Sequence, residues 1–144
     1  MKIAALIFDK ITVLDIVGPT ELLSWVPGSE IVWVGKKIGP IRAAPTGLAI
    51  TVERTLDEVS SADILIIPGG PGVRLLLQDD KVLDWVRKVH ATTKWTTSVC
   101  TGSLPLRRDL LRETRGPAGE DSDVRRRVIR HRHGALAGRQ DRRR

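Results

Sequence analysis

Apolar residues up to Leu104 fall into two rhythms: short unbroken runs, and longer segments with apolar positions three or four apart. Ile3–Phe8 is a continuous apolar run ending at Asp9, the pattern of a strand buried on both faces. From Val13 to Val26 the spacing of Leu14, Val17, Leu22 and Leu23 predicts a helix, interrupted at Gly18-Pro19 and stopped by Pro27-Gly28. Glu30–Val34 is a second β-rich run closed by Gly35. Ile41–Ala44 and Leu48–Val52 flank Pro45-Thr46-Gly47 as a hairpin beside the main sheet. Ile64–Ile67 is wholly apolar and runs into Pro68-Gly69-Gly70-Pro71-Gly72. Asp79 or Asp80 can cap a helix whose buried stripe is Val82, Leu83, Val86 and Val89, and Trp95–Val99 is the next strand, ending at Cys100. Strands separated by helices predict an α/β fold with a doubly wound parallel sheet and an active site at the strand C-termini.

The pattern changes at Leu104. Residues 1–104 carry 11 Lys+Arg and 11 Asp+Glu, whereas residues 105–144 carry 13 Arg and 6 acids, so the whole net charge of +7 belongs to the last segment. A nucleic-acid-binding domain would carry its basic charge on a folded face, and here the patterned part is neutral. Arg107 and Arg108 stand where a helix behind a buried strand usually has small residues, and the Arg-rich text beyond Gly116 has no period. The expectation is a domain over 1–104 and a poorly ordered tail over 105–144. At 144 residues the chain has room for one domain; no run approaches the ~20 apolar residues of a membrane span. The N-terminus lacks the cleavage site of a signal peptide. One cysteine permits no internal disulfide and fits a reducing, cytoplasmic setting.

Cys100 is the sharpest chemical feature. It stands between a strand and a Thr-Gly-Ser that can open a helix, the setting of a nucleophile elbow, where helix-terminal N–H groups favour the anionic sulfur. A buried structural cysteine is the plain alternative. Asp15, flanked by Leu14 and Ile16 after the first strand, can reach the same crevice or simply cap a helix; capping is the commoner role. Glu21 reads as ordinary helix charge. Gly69 and Gly70 can present backbone N–H groups to developing negative charge, or form a plain tight turn. Neither a phosphate-loop nor a dinucleotide glycine pattern is present. His90, at a helix end, reads as a surface residue, and His131 and His133 lie amid arginines without the further ligands of a zinc site. Trp25, Trp33, Trp85 and Trp95 read as core or pocket wall.

Three segments taken together resemble the ThiJ/PfpI superfamily, and within it the isocyanide hydratase branch: Leu14-Asp15-Ile16-Val17-Gly18-Pro19, Ile67-Pro68-Gly69-Gly70-Pro71-Gly72, and Ser98-Val99-Cys100-Thr101-Gly102-Ser103-Leu104. The resemblance runs from Met1 to Leu104. It implies a flavodoxin-like, class I glutamine amidotransferase-like fold and a homodimer. The implied reaction adds water to an isocyanide to give an N-substituted formamide, with no metal or organic cofactor. Carried onto this sequence, Cys100 is the nucleophile, Asp15 moves protons, Thr101 shapes the site, and backbone at Gly69 and Gly70 stabilises negative charge. Beyond Leu104 the family's Thr-His-Trp-type strand does not follow. The Arg-rich text there resembles a GC-rich gene read in a shifted frame, which would make the chain a truncated form of such an enzyme.

A second reading comes from another class. AraC-type transcriptional regulators carry a similar domain as a ligand sensor, but no helix-turn-helix pattern follows here. The basic tail could also attract nucleic acid without sequence preference, although a solvated tail without a specific nucleic-acid partner is the simpler expectation.

Overall fold

The computed structural model describes residues 1–107 and the backbone of residues 128–131. Its centre is made by the two most apolar runs, Lys2–Leu6 (β1) and Ile64–Ile67 (β6), paired in parallel with Ala4 opposite Leu65. Glu30–Gly35 (β2) pairs with the other edge of β1, and the short Arg54–Thr55 (β5) continues the sheet beyond it. Trp95–Val99 (β7) lies outside β6. With β8 (Val128–His131), the order is β5-β2-β1-β6-β7-β8, and every neighbouring pair is parallel. Chain order reverses between β1 and β6, so the loops after these two strands diverge there and open a crevice at their C-terminal ends.

Alternation along the central strands feeds two cores. Ala4, Leu6, Leu65 and Ile67 face one layer with Val82, Leu83, Trp85, Val86 and Val89 of Asp80–His90 (α3). Ile3, Ala5, Ile64 and Ile66 face the other, where Ile16 and Leu23 of Val13–Ser24 (α1) pack with Ile41 and Ile50. Those last two face each other in the hairpin of Gly39–Arg42 (β3) and Ala49–Val52 (β4), where the turn residues placed it. Helix α1 runs through Gly18-Pro19 rather than breaking there. Pro19 removes one intrahelical donor, but packing of Ile16 and Thr20 against the sheet holds the helix, and the Thr20 hydroxyl donates to the Ile16 carbonyl at 2.7 Å.

Asp79 caps α3, accepting from the Val82 N–H, and also pairs with Lys36. The Lys36 ammonium holds its carboxyl below the ordinary aspartate range, with the Val82 N–H adding to the effect against a desolvation cost. A depressed folded pKa contributes stability that is full above the ordinary range and lost as pH falls through the folded value. Asp79→Ala is therefore expected to cost about 1 kcal/mol at neutral pH. Denaturant melts should show that difference shrinking as the pH is taken below 4, and an unchanged difference at low pH would contradict the assignment.

Two described segments lie beyond the break expected at Leu104. Pro105 and Leu106 are buried, and Leu106 joins the α3-side core, because its apolar side chain has the same sheet face to cover. Backbone at Val128–His131 also pairs with β7, Thr96 opposite Val128 and Val99 opposite His131, which satisfies an edge otherwise left open. The rest of the Arg-rich tail, with His133 and the Arg125–Arg127 run, lies outside the described residues. Two of the four tryptophans also depart from expectation. Trp85 is core, its indole N–H donating to the Val59 carbonyl at 2.6 Å, and Trp33 packs against the other core, but Trp25 and Trp95 are exposed.

Candidate active site

The crevice between β1 and β6 is shaped by three loops that the sequence places at strand ends. After β1, the chain turns at Lys10, which has φ +59°, and enters α1 with Thr12 as its N-cap. After β6, Pro68–Gly72 leads into a single helical turn, Val73–Leu76 (α2). After β7, Cys100–Gly102 forms a tight 3-10 turn that continues into Ser103–Pro105 (α4).

Cys100 occupies the left-handed region with φ +54°, a conformation costing an L-residue about 1–2 kcal/mol. It is exposed and free. A strained, exposed cysteine on a strand-to-helix turn has the elbow geometry expected from the sequence. Gly102 permits the turn: a Cβ there would run into the Ile67 carbonyl oxygen and stand 2.6 Å from that of Pro68.

Asp15 does not cap its helix. Its carboxylate is buried, and Oδ2 accepts the Gly69 N–H at 3.2 Å across the crevice. The Gly69 carbonyl in turn accepts the Thr12 N–H at 2.9 Å, so the β6 and β1 loops are locked together at the acid. The neighbouring Gly70 N–H donates to Thr101 Oγ1 at 3.1 Å. Neither glycine amide is free, therefore; the two donors expected to await negative charge are bonded to Asp15 and Thr101. Their bonds bring the three motifs into one site.

Gly69 is also the point of closest approach. A Cβ on it would lie 2.8 Å from Asp15 Oδ2, 2.8 Å from Cys100 Cβ and 2.8 Å from the Thr101 nitrogen. The acid oxygen and the Cβ that carries the sulfur thus stand no further apart than twice that distance. Gly70, at φ +137°, passes equally close to the Lys10 carbonyl and the Thr12 nitrogen.

Cys100 opens onto a cleft of about 610 Å³ lined by Thr12, Gly70, Val73, Arg74, Thr101 and Leu104, among others. Arg74 and α2 carried no sequence assignment, although Val73 and Leu76, one helical turn apart with an arginine between them, are a readable signal. A more enclosed cavity of about 340 Å³ is lined by Leu6, Phe8, Ile41, Leu56 and Leu75 together with Asp9, Lys36, Lys37 and Asp79, of which Lys36 and Asp79 are paired with each other. The cleft at Cys100 is the one that holds the cysteine. Glu21 is exposed on α1 and away from it. His90 is the C-terminal residue of α3, at the helix end expected of it, and is half-buried rather than exposed, its Nδ1 2.7 Å from Thr96 Oγ1, which lies 2.8 Å from Thr93 Oγ1. Among the described residues no cluster of three His, Cys, Asp or Glu could hold a metal ion, and no helix is long and apolar enough to cross a membrane.

Residues 1–117 match the DJ-1/PfpI family. The chain belongs to that family. The match continues past Leu104, where the resemblance was expected to stop. Isonitrile hydratase of Pseudomonas putida is 35% identical over 106 residues, covering 74% of this chain and 46% of that protein. Protein/nucleic acid deglycase 2 of Escherichia coli K12 is 28% identical over 115 residues, 77% of this chain and 66% of that one. Among solved structures, a ThiJ/PfpI family protein from Pseudomonas syringae superposes with a TM-score of 0.69 at 34% identity, covering 73% of this chain and 44% of its own. The chain thus spans less than half the length of isonitrile hydratase. The central parallel sheet with flanking helices is the DJ-1/PfpI fold.

Proposed function

We propose that this DJ-1/PfpI domain hydrates isocyanides, with Cys100 as nucleophile and Asp15 as proton carrier. The observation that carries the reading is the exposed thiol of Cys100, held at positive φ, with the buried Asp15 carboxylate across Gly69 from it. The 35% identity to isonitrile hydratase supports isocyanide hydration among the reactions a cysteine and an acid can carry.

The chemistry divides into two steps. The Cys100 sulfur attacks the terminal isocyanide carbon, and a proton delivered to that carbon gives a thioimidate, S–CH=N–R. Water then adds to the thioimidate carbon, the sulfur leaves as the thiol, and the nitrogen ends as the N–H of R–NH–CHO. In this reading Asp15 passes the proton in the first step and takes one from water in the second. Thr101 Oγ1 already accepts from Gly70, so its own hydrogen is free for a bound substrate.

The proposal includes a homodimer. Leu14, Val17 and Leu22 of α1, with Trp25 at its C-cap, form an exposed stripe opposite the face of buried Ile16 and Thr20 and half-buried Leu23, and a second copy would cover it. Sedimentation equilibrium reads this directly. The lone free thiol suits the reducing cytoplasm.

The test is turnover of an alkyl isocyanide in 18O-labelled water. The expected product is the N-alkyl formamide carrying one labelled oxygen. Saturable binding of isocyanide without product would favour the sensor reading.

A further inference from the structure

Among the described residues that line the Cys100 cleft, Arg74 is the one cation and none is a carboxylate. Among the described residues its guanidinium has no ion-pair partner. Its placement is built into the loop. The Gly72 N–H donates to the Lys10 carbonyl at 3.2 Å, and a Cβ on Gly72 would run into the Asp9 carbonyl oxygen, so the start of α2 is pinned to the β1 loop. Val73 and Leu76 are buried at 1% and 4% exposure, which leaves Arg74 on the outward side of the turn at the cleft.

We propose that Arg74 makes this a site for anionic substrates, those with a carboxylate a few bonds from the reacting carbon. The inference rests on Cys100 as the reacting group and names a substrate class for the proposed reaction, the isocyano carboxylates. A guanidinium without an ion-pair partner among the described residues offers two parallel N–H donors to a carboxylate, and Asp15, the acid near Cys100, is bonded to the Gly69 N–H rather than to Arg74, so the pairing can orient the ligand. A cation on the cleft wall favours the approach of an anion to the Cys100 sulfur.

The experiment uses alkylation of Cys100, the only cysteine in the chain, by iodoacetate and by the neutral iodoacetamide. In each case the sulfur displaces iodide, so the two reagents differ in the charge carried into the cleft. Arg74→Gln is expected to slow iodoacetate about three- to ten-fold, the size of one charge pair at partly solvated separation, and to leave the iodoacetamide rate within about two-fold. Arg74→Lys should keep most of the preference. In the unaltered chain, added salt should slow iodoacetate and not iodoacetamide, because screening weakens the attraction. Equal effects of Arg74→Gln on both reagents, or none on either, would overturn the proposal. So would an iodoacetate rate that rises with salt, the behaviour of a thiolate with no cation beside it. Since the readout is alkylation, a chain that fails to hydrate isocyanides but keeps this discrimination defeats only the proposed reaction; the converse result defeats only the role of Arg74.

Discussion

Cys100→Ala is expected to lower isocyanide turnover on the order of 10⁴-fold or more while leaving the fold intact. No other thiol exists to replace it, and the hydroxyls near the site are weaker nucleophiles at neutral pH. The fold should survive because the side chain is exposed and contributes no core contact. Alanine keeps the unfavourable φ of +54°, so its melting temperature should match the parent's. Cys100→Gly removes the same sulfur but relieves the left-handed backbone, and should gain up to about 1 kcal/mol. Two equally inactive variants, one of them more stable than the parent, would be the signature of strain retained at a working position. Calorimetry and formamide assays on both variants check it; residual turnover in Cys100→Ala within ten-fold of the parent contradicts a covalent mechanism.

Gly69→Ala should damage both stability and activity, through one atom. The added methyl would stand 2.8 Å from Asp15 Oδ2, Cys100 Cβ and the Thr101 nitrogen, and two of those three are part of a turn that Gly102 already presses against β6. The Asp15 oxygen ends a side chain and could turn away at the cost of its bond to the Gly69 N–H, but the Cys100 Cβ and the Thr101 nitrogen are fixed to the backbone, so the loops must separate. Overpacking of this kind costs about 1–3 kcal/mol. Separation of the acid from the nucleophile by even ~1 Å is expected to reduce turnover about 100-fold. Gly47→Ala is the matching control: it imposes a strained φ of +72° with nothing within 4 Å, so it should lose stability but keep full specific activity. Equal activity in the Gly69 and Gly47 variants would show that the three motifs do not work as one site.

Much of the architecture was legible because its signals are local. The short, unbroken apolar runs of β1 and β6 read as strands buried on both faces, and Asp79 or Asp80 before the Val82–Val89 stripe marks a helix start, which Asp79 caps. The Cys100 elbow was legible for the same reason: a strand, a cysteine and a small-residue turn in succession. What stayed hidden depends on contacts between distant segments. Whether Asp15 caps α1 or reaches Gly69 is decided by a hydrogen bond spanning 54 positions, which no local spacing announces. The bonds of Gly69 and Gly70 to Asp15 and Thr101 are hidden in the same way. Pro19 misled because helix propensity was weighed without the packing of Ile16 and Thr20 that overrides it. Two misses were avoidable. Thr55-Leu56-Asp57-Glu58 has the spacing of a capped turn, and Glu58 does accept the Thr55 N–H at 2.7 Å. The Val73–Leu76 turn carrying Arg74 was equally short and equally readable.

The most direct test of Cys100 as an isocyanide nucleophile is intact-protein mass spectrometry on acid-quenched reactions within the first turnovers. The account predicts a transient mass increase equal to one molecule of isocyanide, localised by peptide mapping to Cys100, rising before formamide appears and absent in Cys100→Ala. Formamide that accumulates with no such adduct, at a rate undiminished in Cys100→Ala, would contradict it.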